Sequence, residues 1–307
     1  MRRIQYHRYG GPETMRLEEF ELPPPQAGQV AVTVKAAAVN PIDWKVRQGQ
    51  LKMLTGRSFP RAMGSDFAGI VRSVGPGVTQ FKPGDQVYGI TGLKPSGAFA
   101  EAVITSQAHL AVKPAGLSFE QAACLATPAV MAWSGLIDRA HLQAGQRVFV
   151  NGCTGDGGAA QAGELDDGLA SLPSARELGV DPVYDYAATN LAALPDLHGT
   201  FDVVFDTNGT LPVRTAMRML TKTGVFLDIN ASPAKFLHAA LARRHKIFFC
   251  KPATQILTDA ARGAADGSIR MTVGETVPLE AAAGLITELE KGRKIGGKGL
   301  ILPDQAR

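Results

Sequence analysis

The chain has 307 residues, 45% of them hydrophobic and 20% charged, with a formal net charge of +4. That length and apolar share suit two domains, each with its own core, and exclude a chain disordered throughout. The mild positive charge suits an anionic ligand such as a phosphate, but there is no dense Lys/Arg stripe, so no nucleic-acid partner is expected.

The opening MRRIQYHRYG carries charges and no apolar core, so no signal peptide is expected. No apolar run reaches the ~18 residues that a membrane helix needs, so no membrane partner is expected either. Cys124, Cys153 and Cys250 are scattered, without a C-x-x-C pair; this fits a reducing cytoplasm. Up to Ser118 the chain reads as β-rich. QVAVTVKAAAVN (29–40) alternates and then runs apolar, while FAGIVRSVGPGV (67–78) and DQVYGIT (85–91) are short β-type runs between Gly and Pro turns. The spacing predicts a barrel of short strands.

At Ser118 the character changes. Ser118 with Gln121 three residues on makes a capping-box start, and an apolar helical pattern follows, interrupted by Pro128. It reads as a linker helix. Alternating units come next: RVFVNG (147–152) as a strand, SARELG (174–179) as a helix end, PVYDY (182–186) and FDVVFDTNG (201–209) as strands. LPVRTAMRMLTKTG (211–224) reads as an amphipathic helix stopped by its glycine, VFLDIN (225–230) as a strand, and ALARRHKIFFCKP (240–252) as a helix running into a strand. Within it, Arg243 to Lys246 reads as a solvated helix end. PLEAAAGLITELEKGR (278–293) is a helix and GKGLIL (297–302) a terminal strand. Strand–helix alternation with apolar strands predicts an α/β, doubly wound parallel sheet.

Gly152, Gly155 and Gly158 follow the strand RVFVN at the spacing of a dinucleotide-binding turn, with Thr154 and Gly157 between them. Such glycines permit a tight turn, close backbone approach to a pyrophosphate and close helix–sheet packing. Asp156 is a good cap for the following helix, and it also competes with a phosphate for the same N–H groups. The next block, AAQAGELDDGLASLP (159–173), has 15 residues, where a helix, a strand and two loops need over ~20. It is a poor helix and offers no buried-strand candidate, so the second strand of the sheet is expected to be missing. Glu164, Asp166 and Asp167 read as a solvated acidic loop, and the block suggests a local deletion or a reading-frame slip. Thr207 and Asn208, after VVFD, and Asn230, after VFLDI, fall at carboxyl ends of strands, where this fold binds its ligand.

AAAVNPIDWKVRQG (36–49), GSDFAGIVRSVGPGVTQFKPGDQVYG (64–89), SGAFAEAVI (96–104), the linker helix with Thr127, the glycine cluster, VFDTNG (204–209) and GKGLIL occur in this order. Together they resemble the medium-chain dehydrogenase/reductase superfamily, in its zinc-free, zeta-crystallin-like quinone oxidoreductase branch. The resemblance implies a GroES-like barrel domain of residues 1–122 and 269–307 around a Rossmann domain of residues 123–268, with the active-site cleft between them. It implies hydride transfer from NADPH to a quinone or an activated alkene, and a homodimer. Asn40 and Asp43 match the family's polar pair near the nicotinamide; Asn40 reads equally well as a turn residue before Pro41. Lys45 sits where some relatives carry a tyrosine, either as a proton donor or as a solvated lysine. Thr127 matches a threonine near the nicotinamide amide, and Tyr186 a tyrosine near the adenosine end; their plainer readings are a hydroxyl bonded to its own helix and a strand-end aromatic. At the positions where zinc-dependent relatives carry thiolate or imidazole ligands, this chain has Asn40 to Asp43 and Gly64, Ser65, Asp66. No metal is expected, and Asp66 reads as a structural carboxylate in a turn. The alternative is a non-catalytic binding protein of the same fold with impaired dinucleotide binding.

Overall fold

The computed structural model describes residues 1–94, 96–152, 164–167, 183–185, 190–229, 232–248, 250 and 252–304. Two compact units emerge, one of Met1–Ala129 with Pro252–Arg307 and one of Val130–Lys251.

The first unit opens with β1 (Arg2–Tyr6), β2 (Arg16–Glu19), β3 (Gln29–Ala38), α1 (Pro41–Arg47) and α2 (Lys52–Thr55). It continues with β4 (Arg61–Ala62), β5 (Asp66–Val74), β6 (Gln86–Ile90), β7 (Ala102–Ser106), β8 (Leu110–Val112) and α3 (Phe119–Ala132). The second unit holds β9 (Val148–Asn151), β10 (Glu164–Asp167), β11 (Val183–Asp185), β12 (Phe201–Asp206), α4 (Val213–Met219), β13 (Leu220–Asp228), α5 (Pro233–Leu241) and β14 (His245–Ile247). The chain then returns to the first unit as α6 (Thr254–Ala265), β15 (Val273–Pro278), α7 (Ala282–Glu290) and β16 (Lys298–Leu302). Among the described residues no helix is long and apolar enough to cross a membrane.

β3 organises the first unit. Its valines at 30, 32 and 34 point to one core, as period-2 geometry requires. It pairs antiparallel with β5, β7 and β16, so both ends of the chain meet on one strand. The registers fix what gathers at its carboxyl end: Ala38 lies opposite Asp66 on β5 and opposite Leu300 on β16. α6 also belongs here, because Tyr88 Oη donates to the Leu257 carbonyl and Thr254 Oγ1 to that of Gln107. The Ser118 capping box forms as expected: Gln121 N donates to Ser118 Oγ at 3.1 Å and Ser118 N to Gln121 Oε1 at 3.0 Å.

The second unit is a parallel sheet in the order β11-β10-β9-β12-β13-β14 among the described residues. This is the dinucleotide-fold order 3-2-1-4-5-6, with its reversal between β9 and β12. Side chains alternate between two cores: Val148, Val150, Val203 and Phe205 pack on one face, and Phe149, Phe201, Val204 and Phe226 on the other.

Three expectations are corrected. The second strand is present: β10 pairs parallel with both β9 and β11, Leu165 lying opposite Val150 and Val183. Glu164, Asp166 and Asp167 are therefore strand residues. Parallel pairing is made by backbone groups, so a four-residue strand needs no β-branched sequence to take its place. Next, the helix from 213 ends at Met219, and TKTG already belongs to β13. Gly224 is a close-approach glycine rather than a helix stop, since a Cβ there would lie 2.7 Å from the Phe201 carbonyl oxygen. Last, Arg243 to Lys246 is no solvated helix end: His245 is buried in β14, and Arg244 caps the carbonyls of Thr221, Lys222 and Gly224.

Gly224→Ala should destabilise the protein by about 1–3 kcal/mol, because backbone cannot yield as a side chain can. Gly116→Ala, where a Cβ meets nothing within 4 Å, should leave the melting temperature near wild type. Equal effects in thermal melts would contradict the packing of β12 on β13.

Candidate active site

In the first unit, Asn40 is the N-cap of α1, with Pro41 at the first helical position. Its backbone N–H donates to Asp43 Oδ2 at 2.8 Å, three residues on, as in a capping box. Ser65 Oγ donates to the other oxygen of that carboxyl, Asp43 Oδ1, at 2.9 Å. Asp66 is not in a turn, as expected, but is the first residue of β5. The Thr127 N–H donates to Asp66 Oδ2 at 2.9 Å and the Thr127 hydroxyl to Oδ1 at 2.5 Å. Thr127 is thus bonded neither to its own helix nor left available as a donor. Across the cluster, Lys298 Nζ donates to Asn40 Oδ1 at 2.6 Å.

Asn40, Asp43, Ser65, Asp66 and Lys298 are all buried. Burial pushes the Asp43 carboxyl up to about 7, against the pull of the Asn40 N–H, Ser65 and Lys298, and the charge of Asp66 adds to the rise. Asp66 is pushed up to about 6 by burial, while Thr127, Lys298 and the Asn40 amide favour its ionised form. Two acids in one apolar pocket share one ammonium group, and neither ionises as readily as in water. Burial pushes the neighbouring Cys124 thiol up to about 12, which makes it inert as a nucleophile. A cavity of about 10 Å³, room for one water, is lined by Tyr6, Asp43, Ser65 and Ser96 among others.

The structure therefore ties Asn40 to Asp43 and Thr127 to Asp66, and the charge of Lys298 acts on both carboxyls. Lys45 sits half-buried on α1, outside these hydrogen bonds. Ser65 and Lys298 were missed as members. The signal for Lys298 was a lysine opening an otherwise apolar terminal strand, and only the β3–β16 register gives it meaning.

In the second unit, Gly152 follows β9 at the reversal point. Its φ is +87°, and a Cβ there would lie 2.9 Å from Asn208 Cβ and 3.1 Å from Thr207 Oγ1. Only glycine fits that turn without strain. Thr207 Oγ1 is 2.9 Å from the carbonyl oxygens of both Asn151 and Gly152, so it ties the turn to the end of β12. Asn208 is exposed beside it. Asp206, missed by sequence reasoning, builds the loop: it accepts from Asn151 Nδ2 at 2.7 Å, Gly209 N at 2.8 Å and Leu211 N at 2.9 Å. Lys235 Nζ stands 2.7 Å from Asp228 Oδ2 and 3.7 Å from Asp206 Oδ2. Thr154, Gly155, Gly157, Gly158, Tyr186 and Asn230 lie outside the described residues.

Two family models match the chain, an alcohol dehydrogenase GroES-like domain over residues 26–115 and a zinc-binding dehydrogenase over residues 178–298. A chloroplastic quinone-oxidoreductase homolog of Spinacia oleracea is 29% identical over 253 residues, covering 77% of this chain and 77% of that protein. A chloroplastic NADPH-dependent alkenal/one oxidoreductase of Arabidopsis thaliana is 36% identical over 223 residues, 66% of this chain and 56% of that protein. In fold, the chain is similar to the quinone oxidoreductase of Coxiella burnetii, with a TM-score of 0.88 at 24% identity over 98% of this chain and 99% of that one.

A carboxyl whose pKa is higher in the folded chain than in the unfolded one holds a proton that unfolding releases. Its favourable contribution is complete below about pH 4 and is lost as the pH rises through the folded value, about 7 for Asp43. Asp43→Asn keeps an acceptor and cannot ionise. The melting temperature of the variant relative to wild type should therefore rise between about pH 5 and about pH 8. A constant difference across that range would contradict the buried, protonatable Asp43.

Proposed function

We propose a function for a chain that belongs to the medium-chain dehydrogenase/reductase superfamily: an NADPH-dependent reductase that delivers a hydride to a quinone or an activated alkene without a metal. The observation that carries this reading is the Gly152 turn at the carboxyl ends of β9 and β12, where this sheet order binds its ligand. The names of the Spinacia oleracea and Arabidopsis thaliana relatives support the chemistry and the choice of NADPH.

The turn suits a dinucleotide, because glycine at residue 152 lets the backbone pack directly against Thr207 and Asn208 and leaves no side chain to hold off a pyrophosphate. Gly152, Thr207 and Asn208 are the described residues that would hold it. When bound, the reduced nicotinamide supplies the hydride. The remaining work falls to the first unit. A carbonyl that gains an electron pair needs a donor at its oxygen, and Asn40 has an amide nitrogen, Nδ2, without a well-formed hydrogen bond among the described residues. Asp43, acid near neutrality, grips the Asn40 backbone and fixes the start of α1. Lys45, on the same helix, is the candidate donor of the proton that balances the hydride.

The same cluster does not fit zinc. It offers no thiolate or imidazole, its two carboxyls are engaged by Ser65, the Asn40 N–H and Thr127, and an ammonium group already faces Asn40. Among the described residues no three His, Cys, Asp or Glu side chains cluster as a metal site. We take the working form to be a cytoplasmic homodimer; a solution mass of 32.4 kDa, that of one chain, would contradict it.

Purified protein should consume NADPH only when a quinone or an enone is supplied, at a rate unchanged by a metal chelator. Asn40→Ala should lower kcat/KM by roughly 10²-fold, the scale for losing one donor to a developing oxyanion. No NADPH consumption with any acceptor would overturn the reading in favour of a binding protein.

A further inference from the structure

We propose that Lys298 is a positioning residue for Asn40: its ammonium group fixes the carboxamide so that an N–H donor, and not a carbonyl, is offered to the ligand. The proposal deepens the reductase reading and rests on it for the identity of the ligand oxygen.

Backbone register brings the two residues together. β16 runs antiparallel to β3 with Leu300 opposite Ala38 and Ile301 opposite Ala37, and the Val39 N–H donates to the Gly299 carbonyl at 2.9 Å. Continued by two residues, that register sets Lys298 across from Asn40, and the 2.6 Å bond from Lys298 Nζ to Asn40 Oδ1 closes the pair. Both side chains are buried.

Chemistry then decides which way the amide faces. An ammonium group has three donors and no acceptor. Turned the other way, Asn40 would set its NH2 against an ammonium group at 2.6 Å, donor against donor. The oxygen therefore belongs to Lys298, and the nitrogen must look elsewhere. Asn40 Nδ2 is buried and has no well-formed hydrogen bond among the described residues; it acts on the Asp66 carboxylate as a weak side-chain donor, which favours the ionised form. An amide nitrogen carries two hydrogens, so at least one remains to donate. A buried donor left unsatisfied is costly, and an acceptor oxygen on a ligand relieves that cost. Sequence alone leaves Asn40 able to accept or to donate; Lys298 removes the first choice.

Asp66, the more readily ionised of the two buried acids, supplies most of the negative charge that lets the ammonium group stay buried, and the charge of Lys298 draws both carboxyls toward ionisation. Each has partners of its own, Ser65 and the Asn40 N–H for one and Thr127 for the other.

The test uses Asn40→Asp and Asn40→Leu in the full chain, with Lys298 intact and as Lys298→Met. Aspartate keeps an acceptor for Lys298 and removes the donor; leucine removes both. In thermal melts without ligand, N40D should match wild type or exceed it, while N40L should fall by several degrees. In the K298M background the gap between N40D and N40L should close or invert. Equal losses for N40D and N40L beside Lys298 would overturn the orientation. In turnover, N40D should lose roughly 10²-fold in kcat while its NADPH dissociation constant stays within about threefold of wild type. N40D turning over at the wild-type rate would overturn the donor role. A wild-type protein that consumes no NADPH but keeps the melting pattern would refute the reductase reading and leave the orientation standing.

Discussion

One buried ammonium group set against two buried carboxyls is the constraint on which the first unit turns. Lys298, Asp43 and Asp66 come from three segments far apart in sequence, and all three meet at the carboxyl end of β3. Such a cluster is a poor source of stability, since desolvation offsets much of the attraction. Its value lies in what it fixes. Asp66 holds α3 through Thr127, Asp43 holds the start of α1, and Lys298 holds the Asn40 amide.

The second unit solves a different problem, that of turning a chain sharply at the end of a buried strand. Asp206 accepts two N–H donors from the loop that follows β12 and a third from the Asn151 side chain on β9, and Thr207 reaches back to the turn after β9. Gly152 then needs no side chain and tolerates none. At Gly152 the neighbouring strand holds the turn through Thr207.

Much of this was legible in the sequence, for physical reasons. The alternating valines of β3, the Ser118 capping box and the apolar runs of β9 and β12 follow from local periodicity and hydrogen bonding, which sequence carries directly. β10 was not legible, because ELDD has no strand character and its pairing is set by the strands on either side. The end of α4 was misjudged because a glycine required for close strand packing looks the same as one that stops a helix. Of the site, Asn40, Asp43 and Thr127 were marked in advance. Ser65 and Lys298 were not, since their part depends on strand register. Asp66 likewise reads as a turn residue until strand register places it at the start of β5.

Binding of the cofactor tests the central claim most directly. Purified protein would be titrated with NADPH, and with NADH alongside, while nicotinamide fluorescence and quenching of Trp44 and Trp133 are followed. The account predicts saturation at micromolar NADPH. A linear response without saturation up to millimolar NADPH and NADH would contradict it and leave a fold that binds no nicotinamide cofactor.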